Sequence, residues 1–235
     1  MPTVILVRHG RTAANAGGVL AGWTPGVHLD EKGREQAAAL GERMRGVPLA
    51  AVVTSPLERT RETAEAILAG REPAPALHVD ERVGEAKYGD WTNQPLKTLA
   101  KDPLWKVVQA HPSAAVFPGP EGEGLADMSA RAIAAVRDWN QRLAGEGDPT
   151  YAVVSHGDVI KAIVADALGL HLDAFQRIVV DPCSVTVVRY TETRPFVVRV
   201  NDVGGDLSGL VPPPKARGRR RKPSSDAAVG GGAGA

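Results

Sequence analysis

Short apolar runs alternate with helical patterns along most of this chain, and this alternation constrains the fold more than any other feature. Strands are predicted at 3–8, 50–54 and 151–155, followed by helices at about 30–45, 57–69 and 158–169. Strand–helix alternation of this kind produces right-handed βαβ units around a mostly parallel sheet. The sequence therefore predicts a fold of the α/β class.

The remaining elements are expected at the edges and one end of that sheet. A further strand is predicted near 76–79, and two more at 184–190 and 196–202 form an antiparallel hairpin. A long helix is predicted at about 124–144. The segment 96–123 holds short helical pieces interrupted by prolines, which we expect to cover one end of the sheet.

Composition divides the chain into a foldable part and a polar tail. Hydrophobic residues make up 43% of the sequence, enough to bury a substantial core without a disulfide or metal. From Gly204 onward, six basic and two acidic residues stand among many prolines and glycines. Such a segment lacks the apolar content to pack. We expect a folded domain at 1–203 and a disordered Pro/Gly-rich basic tail at 204–235.

Several classes of protein are disfavoured by what the sequence lacks. Cys183 is the single cysteine, which excludes an internal disulfide and favours a reducing, cytoplasmic setting. No apolar run approaches the ~20 residues of a membrane span, and no secretion leader is recognisable. We expect no membrane partner and no specific nucleic-acid partner, and the sequence leaves a homodimer open.

Polar motifs follow three of the predicted strands at the point where each strand ends. They are Arg8-His9-Gly10, the segment 55–64 with Arg59 in it, and Ser155-His156-Gly157. Because the carboxyl ends of parallel strands meet at one edge of a sheet, where such folds bind ligands, these side chains are expected to converge. Arginine provides a permanent planar cation suited to phosphate oxygens. The pattern predicts a phosphate pocket containing a histidine nucleophile.

Taken together, these motifs resemble those of the histidine phosphatase superfamily, which includes the cofactor-dependent phosphoglycerate mutases. Arg8-His9-Gly10 with Thr12 and Asn15 is similar to the RHGxTxxN signature of that family. Further similarities are 29–37 to LTxxGxxQA, 55–64 to SPxxRTxxTA, Glu85 to the L-x-E acid and 155–157 to the second-histidine motif. The resemblance runs in order through residues 3–203. It implies a phosphoglycerate mutase-like, three-layer α/β/α sandwich with a mostly parallel central sheet.

The resemblance also implies a role for each of these residues. His9 is expected to become phosphorylated, and Glu85 to protonate the leaving alcohol, with Glu81 and Asp80 as alternatives for the acid. The residues expected to take part in catalysis are Arg8, His9, Arg59, Glu85 and His156. Those expected to bind the substrate are Arg8, Asn15, Arg59, His156 and Gly157. No metal and no cofactor are expected, since arginine and histidine can supply the charge stabilisation.

These expectations favour an enzyme, a metal-independent phosphomonoester hydrolase. Its partner would be a small phosphorylated metabolite, hydrolysed through a phosphohistidine. One alternative is a phosphoglycerate mutase, although the compact segment 96–123 offers no evident site for a bisphosphorylated cofactor. Another is a phosphate-sensing binding protein that uses its basic tail for recruitment. For the hydrolase, we expect removal of 204–235 to leave kcat/KM within about twofold.

Overall fold

The computed structural model describes residues 1–205 together with Gly230 and Gly232. The strands are β1 (Thr3–Arg8), β2 (Ala51–Thr54), β3 (Ala76–Val79), β4 (Thr150–Ser155), β5 (Val185–Tyr190) and β6 (Pro195–Asp202). The helices are α1 (Ala13–Gly17), α2 (Glu31–Met44), α3 (Glu58–Leu68), α4 (Leu96–Leu99), α5 (Pro103–Ala110), α6 (Leu125–Leu143) and α7 (Gly157–Ala167). Apart from Gly204, Gly205, Gly230 and Gly232, the predicted tail at 204–235 lies outside the described residues.

The strands form one sheet in the order β3-β2-β4-β1-β5-β6. The first four strands in that order run parallel, and β5 and β6 add an antiparallel hairpin at one edge. In the central pair, Thr3 of β1 lies opposite Thr150 of β4, and Arg8 lies opposite Ser155. This topology confirms the predicted α/β class and places the ends of β1 and β4 side by side.

Two apolar cores, one on each face of the sheet, make the fold three layers thick. Side chains of a strand point alternately to opposite faces, so Ile5 and Val7 pack with α2 and α3, whereas Val4 and Leu6 pack with α6 and α7. This arrangement confirms the predicted α/β/α sandwich.

The first long helix shows how local sequence determines an element of this fold. Oδ1 of Asp30 accepts a hydrogen bond from the N–H of Gly33 at 2.7 Å, which caps α2 at its amino end. The helix ends at Met44, just before Gly46, as expected from the sequence. Even the longest helix described in residues 1–205, α6, lacks the continuous apolar length needed to cross a membrane.

Aromatic side chains hold the segment that covers one end of the sheet. The ring of Phe117 packs edge-on against Tyr88 and Trp91, with centroids 4.9 and 5.5 Å away. Trp91 also donates a hydrogen bond from Nε1 to Asp102, the residue that caps α5, at 3.2 Å. This packing fixes the walls of the cavity described next.

Candidate active site

Two histidines meet where the central strands β1 and β4 end. His9 follows β1 and His156 follows β4, and the backbone N–H of His9 donates to the carbonyl of Ser155 at 3.0 Å. The two imidazole rings are 5.2 Å apart between centroids and both are buried. The structure therefore brings together the two histidines that the sequence placed at separate strand ends.

The hydrogen bonds of His9 define its tautomer. Nδ1 lies 2.7 Å from the carbonyl oxygen of Gly10, which can only accept, so Nδ1 carries the proton. Nε2 then has a free lone pair, and it accepts a hydrogen bond from Nε of Arg59 at 3.3 Å. Burial lowers the pKa of His9 well below its usual value, and the charges of Arg59 and Arg8 lower it further. His9 is thus a neutral imidazole whose lone pair faces the pocket.

Arg59, in the first turn of α3, carries the guanidinium nearest to both histidines. Its Nη2 donates to the carbonyl of Gly22 at 2.8 Å and lies 3.4 Å from Nδ1 of His156. Its Nη1 is buried and has no hydrogen-bond partner among the described residues. A buried cation with an unused donor is suited to binding an anion, because charge-assisted hydrogen bonds are the strong ones.

Arg8 and His156 are fully buried next to His9 and Arg59. Arg8 is fully buried, and its Nη1 donates to the carbonyl of Val180 at 2.8 Å. Nε2 of His156 lies 2.8 Å from Oγ of Ser55, and Nδ1 is directed towards Arg59 and Glu85. Burial, followed by the charge of Arg59, lowers the pKa of His156 well below its usual value.

Glu85 is the buried carboxyl beside these groups. Its Oε2 is 4.0 Å from Nδ1 of His156, and its Oε1 accepts the backbone N–H of Ala86 at 3.0 Å. Burial, reinforced by the like charge of Asp158, raises the pKa of Glu85 to about 7. The carboxyl can therefore hold a proton near neutral pH and release it.

The two alternative acids lie elsewhere. Asp80 accepts hydrogen bonds from Arg82 at 2.9 Å and from Trp139 at 3.0 Å, and it is not among the residues that line the cavity. Glu81 is exposed and does not line the cavity either. Of the three candidates, the geometry favours Glu85.

Asn15 and Gly157 occupy different positions relative to the cavity. Asn15 lines it, and Oδ1 accepts the backbone N–H of Thr12 at 3.1 Å, so the amide nitrogen is the group left to face a ligand. Gly157 is buried at the first position of α7, next to His156, and does not line the cavity. The structure thus groups Asn15 with His9 in the cavity lining and leaves Gly157 out of it.

One cavity, with a free volume of about 30 Å³, is lined by His9, Asn15, Arg59 and Glu85, whereas Arg8 and His156 are buried behind its surface. Its ionisable wall is formed by His9, Arg59, Glu85 and Tyr88. The remaining wall includes the apolar side chains of Val19, Leu20 and Leu96, together with Gly230 and Gly232 from far along the chain. The lining of the cavity therefore combines ionisable and apolar side chains.

The motifs and the geometry agree with a comparison against known families. A family model of the histidine phosphatase superfamily (branch 1) matches residues 4–203. The chain belongs to this superfamily. The strand order, the three layers and the pair of buried histidines described above are thus those of a histidine phosphatase.

Relatives of this histidine phosphatase carry both mutase and phosphatase names. "Probable phosphoglycerate mutase GpmB" of Erwinia tasmaniensis is 32% identical over 89% of this chain and 95% of its own length. The structure of YhfR from Bacillus stearothermophilus is 32% identical, with a TM-score of 0.77 over 86% of this chain and 98% of that one. The mycobacterial glucosyl-3-phosphoglycerate phosphatase Rv2419c, solved in complex with VO3, is 25% identical, with a TM-score of 0.72 over 85% and 98%.

Two residues that support the site in this histidine phosphatase were not predicted from the sequence. Asp158 is fully buried, and its Oδ2 accepts a hydrogen bond from the hydroxyl of Tyr88 at 3.2 Å. Arg131 of α6 donates from Nη2 to the backbone carbonyl of Glu85 at 2.9 Å and from Nη1 to that of Gly84 at 2.8 Å. The only signal for Asp158 was its position directly after Ser155-His156-Gly157, and Arg131 had none.

Proposed function

We propose that this protein is a metal-independent phosphomonoester hydrolase that acts on a small phosphorylated metabolite through a phosphohistidine at His9. The observation that carries the proposal is the approach of Arg59 to Nε2 of His9, at 3.3 Å, within a buried cavity. A neutral nucleophile and a fixed cation then meet at the place where a phosphoryl group would bind. We propose the reducing cytoplasm as its setting, on the basis of a single, buried cysteine, Cys183.

In the first step, Nε2 of His9 attacks phosphorus in line with the ester oxygen. A P–N bond forms, the P–O bond to the leaving group breaks, and Glu85 transfers its proton to the departing oxygen. The guanidinium groups of Arg8 and Arg59 and the ring of His156 would stabilise the phosphoryl oxygens. A carboxyl with a pKa of about 7 is matched to this task, because it is still partly protonated at neutral pH.

In the second step, water attacks the phosphorus of phosphorylated His9. Glu85, now a carboxylate, accepts a proton from that water, the P–N bond breaks, and inorganic phosphate leaves. His9 returns to its neutral form because Nδ1 keeps its proton throughout, bound to the carbonyl of Gly10. Two easier steps thus replace one difficult hydrolysis.

The composition of the cavity wall favours hydrolysis over the mutase reaction. A mutase must hold a substrate with a second anionic group, which requires cations on the leaving-group side. Among the described residues that line the cavity, Arg59 is the one arginine and there is no lysine, whereas Val19, Leu20 and Leu96 are apolar. This wall supports a leaving group with an apolar portion.

The decisive experiment replaces the nucleophile. His9→Ala should abolish hydrolysis of p-nitrophenyl phosphate and also the acid-labile labelling of the protein by a ³²P-labelled substrate. His171→Ala is the matched control, because His171 is exposed and does not line the cavity, and it should retain both signals. Activity that survives His9→Ala would refute the proposal.

A second assay separates the hydrolase from its two alternatives. Conversion of 3-phosphoglycerate to 2-phosphoglycerate, measured with and without 2,3-bisphosphoglycerate, should be negligible beside hydrolysis. Rapid isomerisation that depends on the bisphosphate would instead identify a mutase. Phosphate binding with no turnover of any ester in a substrate panel would identify a binding protein.

A further inference from the structure

Gly230 and Gly232, here called the distal glycines, lie in the active-site cavity although they are remote in sequence. The N–H of Gly230 donates a hydrogen bond to Oδ2 of Asp158 at 2.8 Å. The carbonyl oxygen of Gly230 accepts a longer one from Nη2 of Arg8 at 3.4 Å. One residue thus contacts both a buried carboxylate and a cation assigned above to the phosphoryl group.

The surroundings of Gly230 suit a residue without a side chain. Its φ angle is +76°, in the left-handed region that favours glycine. A Cβ atom at this position would lie 3.1 Å from Cδ1 of Leu20 and 3.3 Å from the hydroxyl of Tyr88. The site therefore selects a glycine backbone by shape as well as by its two hydrogen bonds.

The space that remains beside the distal glycines is too small for a substrate. The free volume of about 30 Å³ has room for roughly two or three water molecules. A phosphomonoester occupies several times that volume. Substrate and distal glycines therefore exclude each other from the cavity.

We propose that Asp158 and Arg8 form a binding site for a glycine peptide, and that the distal glycines occupy it in competition with the substrate. This inference rests on the proposed function, because the assumed competitor is a phosphomonoester at His9. Peptide and pocket belong to one chain, so binding is intramolecular and weak contacts suffice. It replaces the expectation from sequence alone that removal of 204–235 leaves kcat/KM within about twofold.

The first test shortens the chain after Gly205, beyond the family match at 4–203 and the last strand, so the domain is retained. If the distal glycines close the pocket in about nine of ten molecules, the KM for p-nitrophenyl phosphate falls about tenfold and kcat is unchanged. A KM that stays the same or rises, or a kcat that drops, overturns the inference.

A point substitution in the full chain gives the same test without shortening it. Gly230→Val should lower KM as the truncation does, because its side chain would meet Leu20 and Tyr88. Gly205→Val is the matched control, since Gly205 also has a positive φ, +84°, but no atom lies within 4 Å of its Cβ position. Equal KM values for the two variants contradict the inference.

A binding experiment separates this inference from the proposed function. An acetylated peptide of residues 227–235, titrated calorimetrically into the shortened protein, should bind with a Kd of about millimolar or below. Saturating sodium orthovanadate should abolish that binding. If no ester is hydrolysed, the proposed function fails, yet peptide binding that orthovanadate displaces still supports the glycine site. Absence of peptide binding overturns the site whatever the activity.

Discussion

Nε of Arg59 donates a hydrogen bond to Nε2 of His9, the atom whose lone pair would attack phosphorus. The guanidinium thus lies on the lone-pair side of His9, and this hydrogen bond must break as phosphorus approaches Nε2. Since the neighbouring Nη1 has no partner in the described part of the chain, the same group has a donor available for a phosphoryl oxygen. His9 and this electrostatic clamp are therefore adjacent before substrate arrives, so the charge that stabilises the phosphoryl oxygens needs no long movement.

Replacing Arg59 with lysine should slow catalysis even though the positive charge is kept. We expect Arg59→Lys to lower kcat/KM about 10²-fold or more, because lysine keeps the charge but lacks the planar fork that contacts His9, Gly22 and a phosphoryl oxygen together. Steady-state kinetics with p-nitrophenyl phosphate measure the loss. Arg61→Lys, an exposed position on the same helix, is the control and should match the parent protein. Equal activity of both variants would argue against the clamp.

The pH dependence of kcat/KM should report the protonation of Glu85. The first step needs this carboxyl protonated, and its pKa is about 7 in the folded protein, so kcat/KM should decline as pH rises above 7. His9 has a pKa well below its usual value and stays neutral across this range. In Glu85→Gln the alkaline decline should vanish, and kcat/KM for an alkyl phosphate should fall about 10²–10⁴-fold. An unchanged decline in that variant would assign it to another group.

The same pKa predicts how stability depends on pH. The side chain of Glu85 titrates near 4.5 when unfolded and near 7 when folded, so between these values the folded state holds a proton that the unfolded state has released. The free energy of unfolding therefore falls as pH rises through this window. Glu85→Gln removes that loss of stability. The Tm of the variant minus the Tm of the parent protein, measured by calorimetry, should therefore be larger at pH 8.5 than at pH 4.5. A difference independent of pH would show that Glu85 has an ordinary pKa.

A close contact between two backbone segments should make Gly33 irreplaceable. A Cβ atom there would lie 2.0 Å from the carbonyl oxygen of Arg11, two residues after His9. Gly33→Ala should lower the free energy of unfolding by about 1–3 kcal/mol and reduce kcat, because the loop carrying His9 must move. Gly46→Ala is the control, since nothing lies within 4 Å of its Cβ position. Urea denaturation of both variants gives the comparison, and equal midpoints would contradict the expected clash.

Arg131 should act through the position of Glu85. Its guanidinium holds the carbonyls of Gly84 and Glu85, so Arg131→Lys should lower kcat more than it raises KM and should shift the alkaline decline of the pH profile. Arg137→Lys, an exposed neighbour on α6 paired with Asp166, is the control. A lower Tm with an unaltered pH profile would indicate a purely structural role.

Local sequence was sufficient to predict most of this fold. Strands are short apolar runs, and helices such as α2 begin at a capping residue and end near glycine, so predicted and observed bounds agree to within about two residues. The convergence of His9 and His156 followed from the rule that parallel strands end at one edge. These features depend on residues close together in the chain or on a general rule of topology.

The features of the site that the sequence did not predict depend on contacts between distant segments, and no local sequence pattern encodes such contacts. Asp158 looks like an ordinary acidic residue in the first turn of a helix, where the helix dipole favours it. Its contacts with Tyr88 and Gly230 join positions 70 and 72 residues apart in the chain. The distal glycines lie in a stretch of low-complexity sequence, and no local pattern there predicts that they line the cavity.

The adjacency of β1 and β4 has a consequence for how this enzyme can diversify. His9 and His156 follow neighbouring strands, so the distance between their rings is set by the ~4.8 Å spacing of adjacent strands in the sheet. The apolar part of the cavity wall comes from Val19, Leu20 and Leu96, which lie outside these two strands. Substitutions in that wall can therefore change which substrate binds while the distance between His9 and His156 stays the same. A new substrate specificity need not disturb the chemistry.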